Sequence, residues 1–254
     1  LEPYAVSKAK LISGVNEAYY RPVLERNFKN KKIQHIGMPY GFDPNDHQIQ
    51  LENVKLPWSA NEEAYVYAGA FLPKSHLFLK SLFACIAELK NKGEWPTHKK
   101  LYFLGTGNYP GKQIREYAAA YGIEDVIKEH NDRFPFLHIL YFLNCAKGVV
   151  VLGSTQKHYT ASKIFQSLLS QRPVFAVFHE ESSAVRIMQT AKATTFLSLY
   201  QEGMNEGDLT SILMVAVKSY FLEESQWQPN LKALFPYSAS ASTKALVEKI
   251  ESIL

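Results

Sequence analysis

From residue 64 onward, short apolar segments rich in β-branched and aromatic residues alternate with longer segments whose apolar residues recur at helical spacing. Strands are predicted at residues 64–68, 100–104, 126–130, 148–152, 173–177 and 194–197. These segments are apolar almost throughout, which is typical of strands covered on both faces of a sheet. Alternating strands and helices with short connections predict an α/β fold, a Rossmann-like parallel sheet with helices on both faces.

The first 63 residues follow a different pattern. Candidate strands at 10–14 and 32–36 flank a helix predicted over 17–27, and this single αβ unit is too small to fold alone. The segment that follows is polar, contains Pro, Gly and Asp, and shows no clear period, which is typical of a linker. We therefore expect three parts: the remnant of a preceding domain (1–40), a linker (41–63) and the Rossmann-like domain (64–254).

Composition excludes several classes of protein. Hydrophobic residues make up 46% and charged residues 20% of the 254 residues, which is enough apolar surface for a large buried core. The net charge of +4 comes without a dense basic stripe, so we expect no nucleic-acid partner. The sequence has no run of about 18 apolar residues, so we expect no transmembrane segment.

The two cysteines, Cys85 and Cys145, lie in separate apolar segments with helical spacing. Two isolated cysteines form neither a disulfide framework nor a metal cluster, so we expect both to be small buried side chains in a reducing cytoplasm. The chain begins Leu1-Glu2-Pro3-Tyr4, without an initiator Met or a signal-peptide pattern. We therefore expect it to be a piece of a longer protein.

Loops that follow the predicted strands are the candidate ligand sites, because an open parallel sheet binds ligands beyond the carboxyl ends of its strands. The loop after strand 100–104 contains Gly105, Thr106 and Gly107, and glycines allow a backbone to approach a phosphate closely. The next glycine falls one residue too late for a dinucleotide fingerprint, and Asp125 precedes its strand instead of ending it. Phosphate or sugar contact and a plain tight turn both remain open for this loop.

The loop after strand 148–152 is the most specific feature. Thr160 is the expected N-cap of a helix with Ser162 and Lys163 in its first turn. A lysine there opposes the helix dipole, and a bound pyrophosphate would reverse that effect. Ser162 and Gln166 share one face of this helix, which is free to meet a ligand. The alternative is a capped helix with solvated polar residues.

Two further loops give weaker signals. Arg133 follows strand 126–130 and could reach a phosphate or stack on a base, although an ordinary surface arginine is the alternative. His179 is followed by Glu180 and Glu181 after strand 173–177, and we interpret this segment as a solvated loop in which Ser182 caps the next helix. No second His or Cys falls at ligand spacing, so a metal site is not expected.

With these loops placed, residues 9–222 resemble the carboxyl-terminal domain of retaining, family-4-like GT-B glycosyltransferases. The specific match is the segment Ser162-Lys163-Ile164-Phe165-Gln166-Ser167-Leu168-Leu169 with Arg172-Pro173-Val174, which is similar to the family's helix-and-strand signature. Three weaker matches are the turn Tyr40-Gly41-Phe42-Asp43, the first strand Tyr67-Ala68-Gly69 with Lys74, and the turn Gly105-Thr106-Gly107.

This resemblance implies transfer of a sugar from a nucleotide diphosphate sugar to an unknown acceptor, with no metal or other cofactor. A missing amino-terminal domain would supply the acceptor site and catalytic residues, so the chain alone is expected to be inactive. The implied donor-binding residues are Gly69, Lys74, Gly105, Thr106, Gly107, Arg133, Ser154, His158, Thr160, Ser162, Lys163 and Gln166.

The chain departs from the family pattern at three positions. Ala70 stands where the family usually has an arginine that balances the donor diphosphate, and His158 and Gln166 stand where it has paired glutamates. The second glutamate normally accepts hydrogen bonds from the ribose hydroxyls, which a glutamine can do without charge assistance. These departures leave open a catalytically degenerate binding or scaffold domain. A GT-B-fold epimerase is a third possibility, for which no acid–base residues can be placed.

Overall fold

Two parallel sheets, one in each of two separately packed units, organise the computed structural model, which describes residues 1–29, 33–38, 41–107, 111–159, 162–224 and 226–254. The first unit consists of Leu1–Pro44 and Lys232–Leu254, and the second of Asn45–Leu231. In chain order the elements are α1 (Glu2–Val6), β1 (Leu11–Gly14), α2 (Glu17–Asn27), β2 (Gln34–Gly37), a 3-10 helix (Pro44–Gln48), β3 (Glu63–Ala68), a 3-10 turn (Pro73–Ser75), α3 (His76–Asn91), β4 (Lys99–Leu104), α4 (Ile114–Ala120), β5 (Ile127–His130), α5 (Phe136–Cys145), β6 (Gly148–Leu152), α6 (Lys163–Leu169), β7 (Val174–His179), α7 (Ser183–Thr190), β8 (Leu197–Tyr200), α8 (Glu206–Leu222), a 3-10 helix (Leu231–Tyr237) and α9 (Ala239–Glu251).

The first unit contains a two-stranded parallel sheet, β1 and β2, with α2 as the crossover. The predicted helix over 17–27 is confirmed, and it begins where the Asn16 side chain accepts a hydrogen bond from the Ala18 amide at 3.0 Å. Tyr20 is the buried residue of α2, and its hydroxyl lies 3.3 Å from His35 Nδ1 in β2. The last helix of the chain, α9, contacts β2 and so belongs to this unit.

The second unit is a six-stranded, entirely parallel sheet in the order β5-β4-β3-β6-β7-β8. The predicted Rossmann-like α/β fold is therefore confirmed. Its central strands are buried because they carry apolar residues on both faces: all five residues of β6 and all six of β7 are buried. The chain runs outward from β3 in one direction and from β6 in the other, so these neighbouring strands form the topological switch point of the sheet.

Five of the six strands predicted in this unit lie at the expected place, within two residues at each end. The sixth prediction, 194–197, is wrong in position, because β8 occupies Leu197–Tyr200. Residues 194–196 lead into the strand through a turn in which the Leu197 amide donates to the Thr194 carbonyl at 3.1 Å, and the strand begins at Leu197. The apolar Phe196 that suggested a strand is buried, and its ring packs against Tyr220 and Trp227.

The expectation of two buried cysteines is half correct. Cys85 is buried within α3, whereas Cys145 is exposed at the end of α5. The buried stripe of α5 consists of Leu140, Phe142 and Leu143, and Cys145 lies outside it. Among the helices of the described residues, none is long and apolar enough to cross a bilayer.

Gly153, the first residue after β6, is tightly enclosed. A Cβ atom placed there would collide with the Phe178 ring of β7 and lie 3.0 Å from the Val177 carbonyl oxygen. We expect Gly153→Ala to lower the free energy of unfolding of the second unit by about 1–3 kcal/mol, because the buried strand must shift to accept the methyl group. Urea unfolding followed by tryptophan fluorescence measures this, since Trp58, Trp95 and Trp227 all lie in the second unit.

Gly207→Ala is the matched control, because the nearest atom to a Cβ there is the Asn205 side-chain oxygen at 3.3 Å and the residue lies in the first turn of α8. Its effect should stay below about 1 kcal/mol, since alanine is also the better helix former. Equal effects of the two substitutions would contradict the steric argument.

Candidate functional site

The loops that follow β3 and β6 meet at the switch point of the sheet. The Thr155 amide of the β6–α6 loop donates to the Lys74 carbonyl of the β3–α3 loop at 3.1 Å, and the Ser75 hydroxyl donates to the Gly153 carbonyl. The β4–α4 loop joins them, because the Phe71 amide donates to the Thr106 carbonyl at 3.2 Å. Three loops that the sequence singled out separately are therefore linked at one edge of the sheet.

Lys163, the first residue of α6, extends across this edge to the end of β3. Its Nζ lies 2.7 Å from the Tyr67 hydroxyl, 4.0 Å from the centroid of the Tyr67 ring and 3.5 Å from the Ala70 carbonyl oxygen. A Cβ atom placed on Gly69 would lie 3.8 Å from the same Nζ. The ammonium group is therefore held beside the Gly69–Ala70 backbone.

Desolvation governs the electrostatics of Lys163. Although the residue as a whole stays partly exposed, the loss of water around its ammonium group lowers its pKa to about 7. Tyr67 is fully buried, and burial raises the pKa of its phenol, so this partner stays a neutral hydroxyl. Because desolvation is the whole cause of the Lys163 shift, an anion placed beside Nζ would raise its pKa again.

The turn of Gly105, Thr106 and Gly107 forms hydrogen bonds with neighbouring groups at the end of β5. Gly105 and Gly107 have φ of +71° and +78°, and their amides donate to the His130 and Asn131 carbonyls at 2.8 and 3.0 Å. Thr106 is buried and donates from Oγ1 to Glu129 at 2.9 Å, so its hydroxyl is directed inward. These bonds are those of a tight turn, and among the described residues no atom lies within 4 Å of a Cβ atom placed on Gly107.

The helix that carries Lys163 begins later than expected. α6 starts at Lys163, and Ser162 occupies the N-cap position with helical backbone angles and no side-chain cap bond. The residue expected to cap it, Thr160, lies outside the described residues. Ser162 is exposed immediately before Lys163.

The other predicted site residues differ in exposure. Ser154 is buried, and its Oγ accepts a hydrogen bond from the Gln156 amide at 3.1 Å. Three residues have exposed side chains around the three loops: Lys74, Arg133 and His158. Arg133 lies near the tight turn, since a Cβ atom placed on Gly105 would be 3.9 Å from its Cα.

Gln166 is bonded to a residue that the sequence did not single out. Its Oε1 lies 2.7 Å from Nε2 of His47, whose Nδ1 lies 2.8 Å from Oδ1 of Asn144. His47 precedes Gln166 by 119 residues and lies in the 3-10 helix Pro44–Gln48. Sequence spacing gives no signal for such a pair, because only the folded sheet brings them together.

The interpretation of His179 as part of a solvated loop is wrong. It is the buried last residue of β7, and its Nδ1 accepts a hydrogen bond from the Glu181 amide at 3.1 Å. Ser182 caps α7 as predicted, accepting from the Ala184 amide at 3.3 Å, and it also donates to the Tyr159 carbonyl at 3.0 Å. Within the described ranges, no three His, Cys, Asp or Glu residues are grouped so that they could hold a metal ion.

Sequence comparison finds no matching family model and no matching curated protein. Comparison of structures finds glycosyltransferases. One is the pneumococcal O-GlcNAc transferase GtfA in complex with UDP and GlcNAc, with 11% identity over 99% of this chain and 47% of that protein and a TM-score of 0.65. Another is Anabaena HepE in complex with UDP and glucose, with 14% identity over 98% of this chain and 65% of that protein and a TM-score of 0.64.

A third is the trehalose-6-phosphate synthase of Burkholderia multivorans, with 12% identity over 96% of this chain and 58% of that protein and a TM-score of 0.63. The chain therefore has the fold of GT-B glycosyltransferases, and it is consistent with the carboxyl-terminal half of that fold. It spans about half the length of the pneumococcal enzyme.

The lowered pKa of Lys163 predicts a pH-dependent cost in stability. The unfolded chain binds this proton up to a pH near the ordinary value of 10.5, whereas the folded chain releases it near pH 7. The charge therefore destabilises the fold fully below pH 7, and the cost disappears as the pH rises toward 10.5. Lys163→Met should raise the free energy of unfolding by about 2 kcal/mol at pH 6, with allowance for the partial exposure of the residue, and by much less at pH 10.

Urea unfolding at the two pH values measures the difference. Lys218→Met is the control, since Lys218 lies on α8 and pairs with Glu94 at 3.2 Å. If Lys163→Met raises the free energy of unfolding equally at both pH values, the result would contradict the desolvation argument.

Proposed function

We propose that this chain binds a nucleotide diphosphate sugar at the carboxyl ends of β3 and β6 and acts as the donor-binding domain of a glycosyltransferase. The observation that carries the proposal is the position of the Lys163 ammonium group, 3.5 Å from the Ala70 carbonyl oxygen and beside Gly69. Ala70 is the position at which the resembling family carries an arginine for the donor diphosphate. Lys163 supplies from α6 the positive charge that position 70 lacks.

The same charge suits the chemistry of sugar transfer. When the bond between sugar and diphosphate breaks, negative charge develops on the departing diphosphate, and a cation fixed beforehand beside it stabilises the transition state. Held by Tyr67, the Lys163 ammonium group needs no rearrangement to act in this way. Its partly desolvated surroundings strengthen the interaction relative to water.

The remaining donor contacts are proposed from the resemblance together with their place at this edge. Lys74, Arg133 and His158 are exposed where they can approach a phosphate or base, and Gln166 and Ser162 are assigned to the ribose and its surroundings. Backbone groups of Gly69, Gly105, Thr106 and Gly107, with Ser154 and Thr160, complete the proposed site. Residues 1–40 are proposed as the remnant of an amino-terminal domain that carries the acceptor site, 41–63 as the linker and 64–254 as the donor domain, although the end of that range, Lys232–Leu254, packs with Leu1–Pro44 in the first unit. Location in the cytoplasm stays a prediction.

Calorimetric titration with UDP, GDP, ADP and their sugar conjugates tests the donor site. We expect one nucleotide to bind selectively, and Lys163→Met to weaken it about tenfold or more, because a partly desolvated charge contact with phosphate is lost. Lys218 lies near the carboxyl end of α8 and is not among the proposed donor-binding residues, so Lys218→Met should leave the affinity unchanged. If no nucleotide binds at millimolar concentration, or if Lys163→Met binds as tightly as the unaltered chain, the proposed donor site is wrong.

Ala70→Arg offers a test in the opposite direction. Ala70 is exposed, so the larger side chain can be accommodated without unpacking the core. We expect it to tighten binding of the nucleoside diphosphate about threefold to tenfold, with a steeper loss of affinity at high salt, because it adds a bidentate phosphate donor. Ala70→Gln, which adds length without charge, is the control. An unchanged or weaker affinity for Ala70→Arg would place the diphosphate away from Gly69.

A catalytically degenerate binding domain is the second candidate. Two observations favour it: Ala70 supplies no charge, and Gln166 is hydrogen-bonded within the protein to His47. The two functions differ in turnover, which has to be measured on a protein that includes the other half of the GT-B fold. Sugar transfer that Lys163→Met abolishes would support the enzyme, whereas nucleotide binding without transfer or hydrolysis would support the binding domain.

A further inference from the structure

His47 forms hydrogen bonds with side chains from two different helices of the second unit. Its Nδ1 lies 2.8 Å from Oδ1 of Asn144 in α5, and its Nε2 lies 2.7 Å from Oε1 of Gln166 in α6. Asn144 also bonds the His47 backbone, donating from Nδ2 to the His47 carbonyl at 3.0 Å. Asn144 therefore forms hydrogen bonds with both the main chain and the ring of His47.

The hydrogen-bond pattern fixes one ring nitrogen. Asn144 uses its NH2 group for the His47 carbonyl, so the atom facing Nδ1 is an oxygen that can only accept, and Nδ1 carries a hydrogen. The second nitrogen, Nε2, is then directed at the Gln166 amide. With a doubly protonated ring Nε2 donates to Oε1, and with a neutral ring the amide turns over and donates to Nε2. Gln166 stays bonded to the ring in both forms.

Asn144 itself is anchored at the end of α5. The Arg172 guanidinium donates from Nε to the Asn144 carbonyl at 2.7 Å, which ties this helix end to the segment before β7. Gln166 sits within α6 three residues after Lys163, so a restraint on Gln166 acts on the same helix that carries the proposed phosphate contact. The chain Arg172, Asn144, His47 and Gln166 thus ends in a side chain assigned to the nucleotide.

We propose that His47 is a positioning residue, which holds the Gln166 side chain in place for the ribose hydroxyls of the nucleotide. This inference rests on the function proposed above. A glutamine side chain that is free in solution loses rotamer entropy when it binds a ligand, and His47 removes most of that freedom before the ligand arrives. His47 also keeps one end of the amide occupied, so that the other end is presented to the ligand.

The test compares two ligands: the nucleoside diphosphate that binds the unaltered chain and its 2′,3′-dideoxy analogue. His47→Phe keeps a ring of similar volume without its nitrogens. We expect this variant to bind the ribose nucleotide about threefold to tenfold more weakly, which corresponds to the cost of ordering one long side chain. It should bind the dideoxy analogue as tightly as the unaltered chain does. His47→Ala is the second variant, and His98→Ala, whose ring is exposed beside Glu63, is the control.

The double variant His47→Phe with Gln166→Ala completes the experiment. If His47 acts through Gln166, the double variant binds no more weakly than Gln166→Ala alone. Equal loss for both ligands, or no loss for either, would overturn the role of His47 while leaving the donor site intact. Failure of the unaltered chain to bind any nucleotide would overturn the proposed function and this inference with it.

Discussion

The bond between Lys163 and Tyr67 joins the two halves of the sheet at its switch point. It depends on the strand order, because only the pairing of β3 with β6 brings the start of α6 next to the end of β3. The charge is costly in this place, and the pKa of Lys163 falls to about 7 through desolvation. An anion bound beside Nζ would stabilise the ammonium form and so offset this desolvation cost. A desolvated lysine of this kind is therefore a candidate binding group for an anion.

Hydrogen bonds join the three loops around Lys163 to one another. Backbone bonds link Lys74 with Thr155 and Phe71 with Thr106, and the buried Ser75 hydroxyl donates to the Gly153 carbonyl. A site built in this way holds its charged and polar groups at fixed places before a ligand arrives, which reduces the entropy lost on binding. The fold that produces this arrangement is shared with glycosyltransferases at sequence identities of only 11–14%.

Sequence periodicity predicted the sheet well and the site only in outline. β6 was predicted to the residue, since five buried apolar residues between Lys147 and Gly153 admit one interpretation. The bond from Thr106 to Glu129 gave no signal in the sequence, and α6 begins at Lys163, later than expected. Neither the contact of Lys163 with Tyr67 nor that of Gln166 with His47 could be predicted, because each joins residues about a hundred or more positions apart.

The most direct test of the account is the pKa of Lys163 measured by NMR on the chain with isotope-labelled lysine, without and with a saturating nucleoside diphosphate. We predict a value of about 7 for the free protein. With the nucleotide bound, the pKa should rise by about 1–3 units, because the phosphate charge stabilises the ammonium form. A nucleotide that binds without moving this pKa would contradict the placement of the diphosphate beside Lys163.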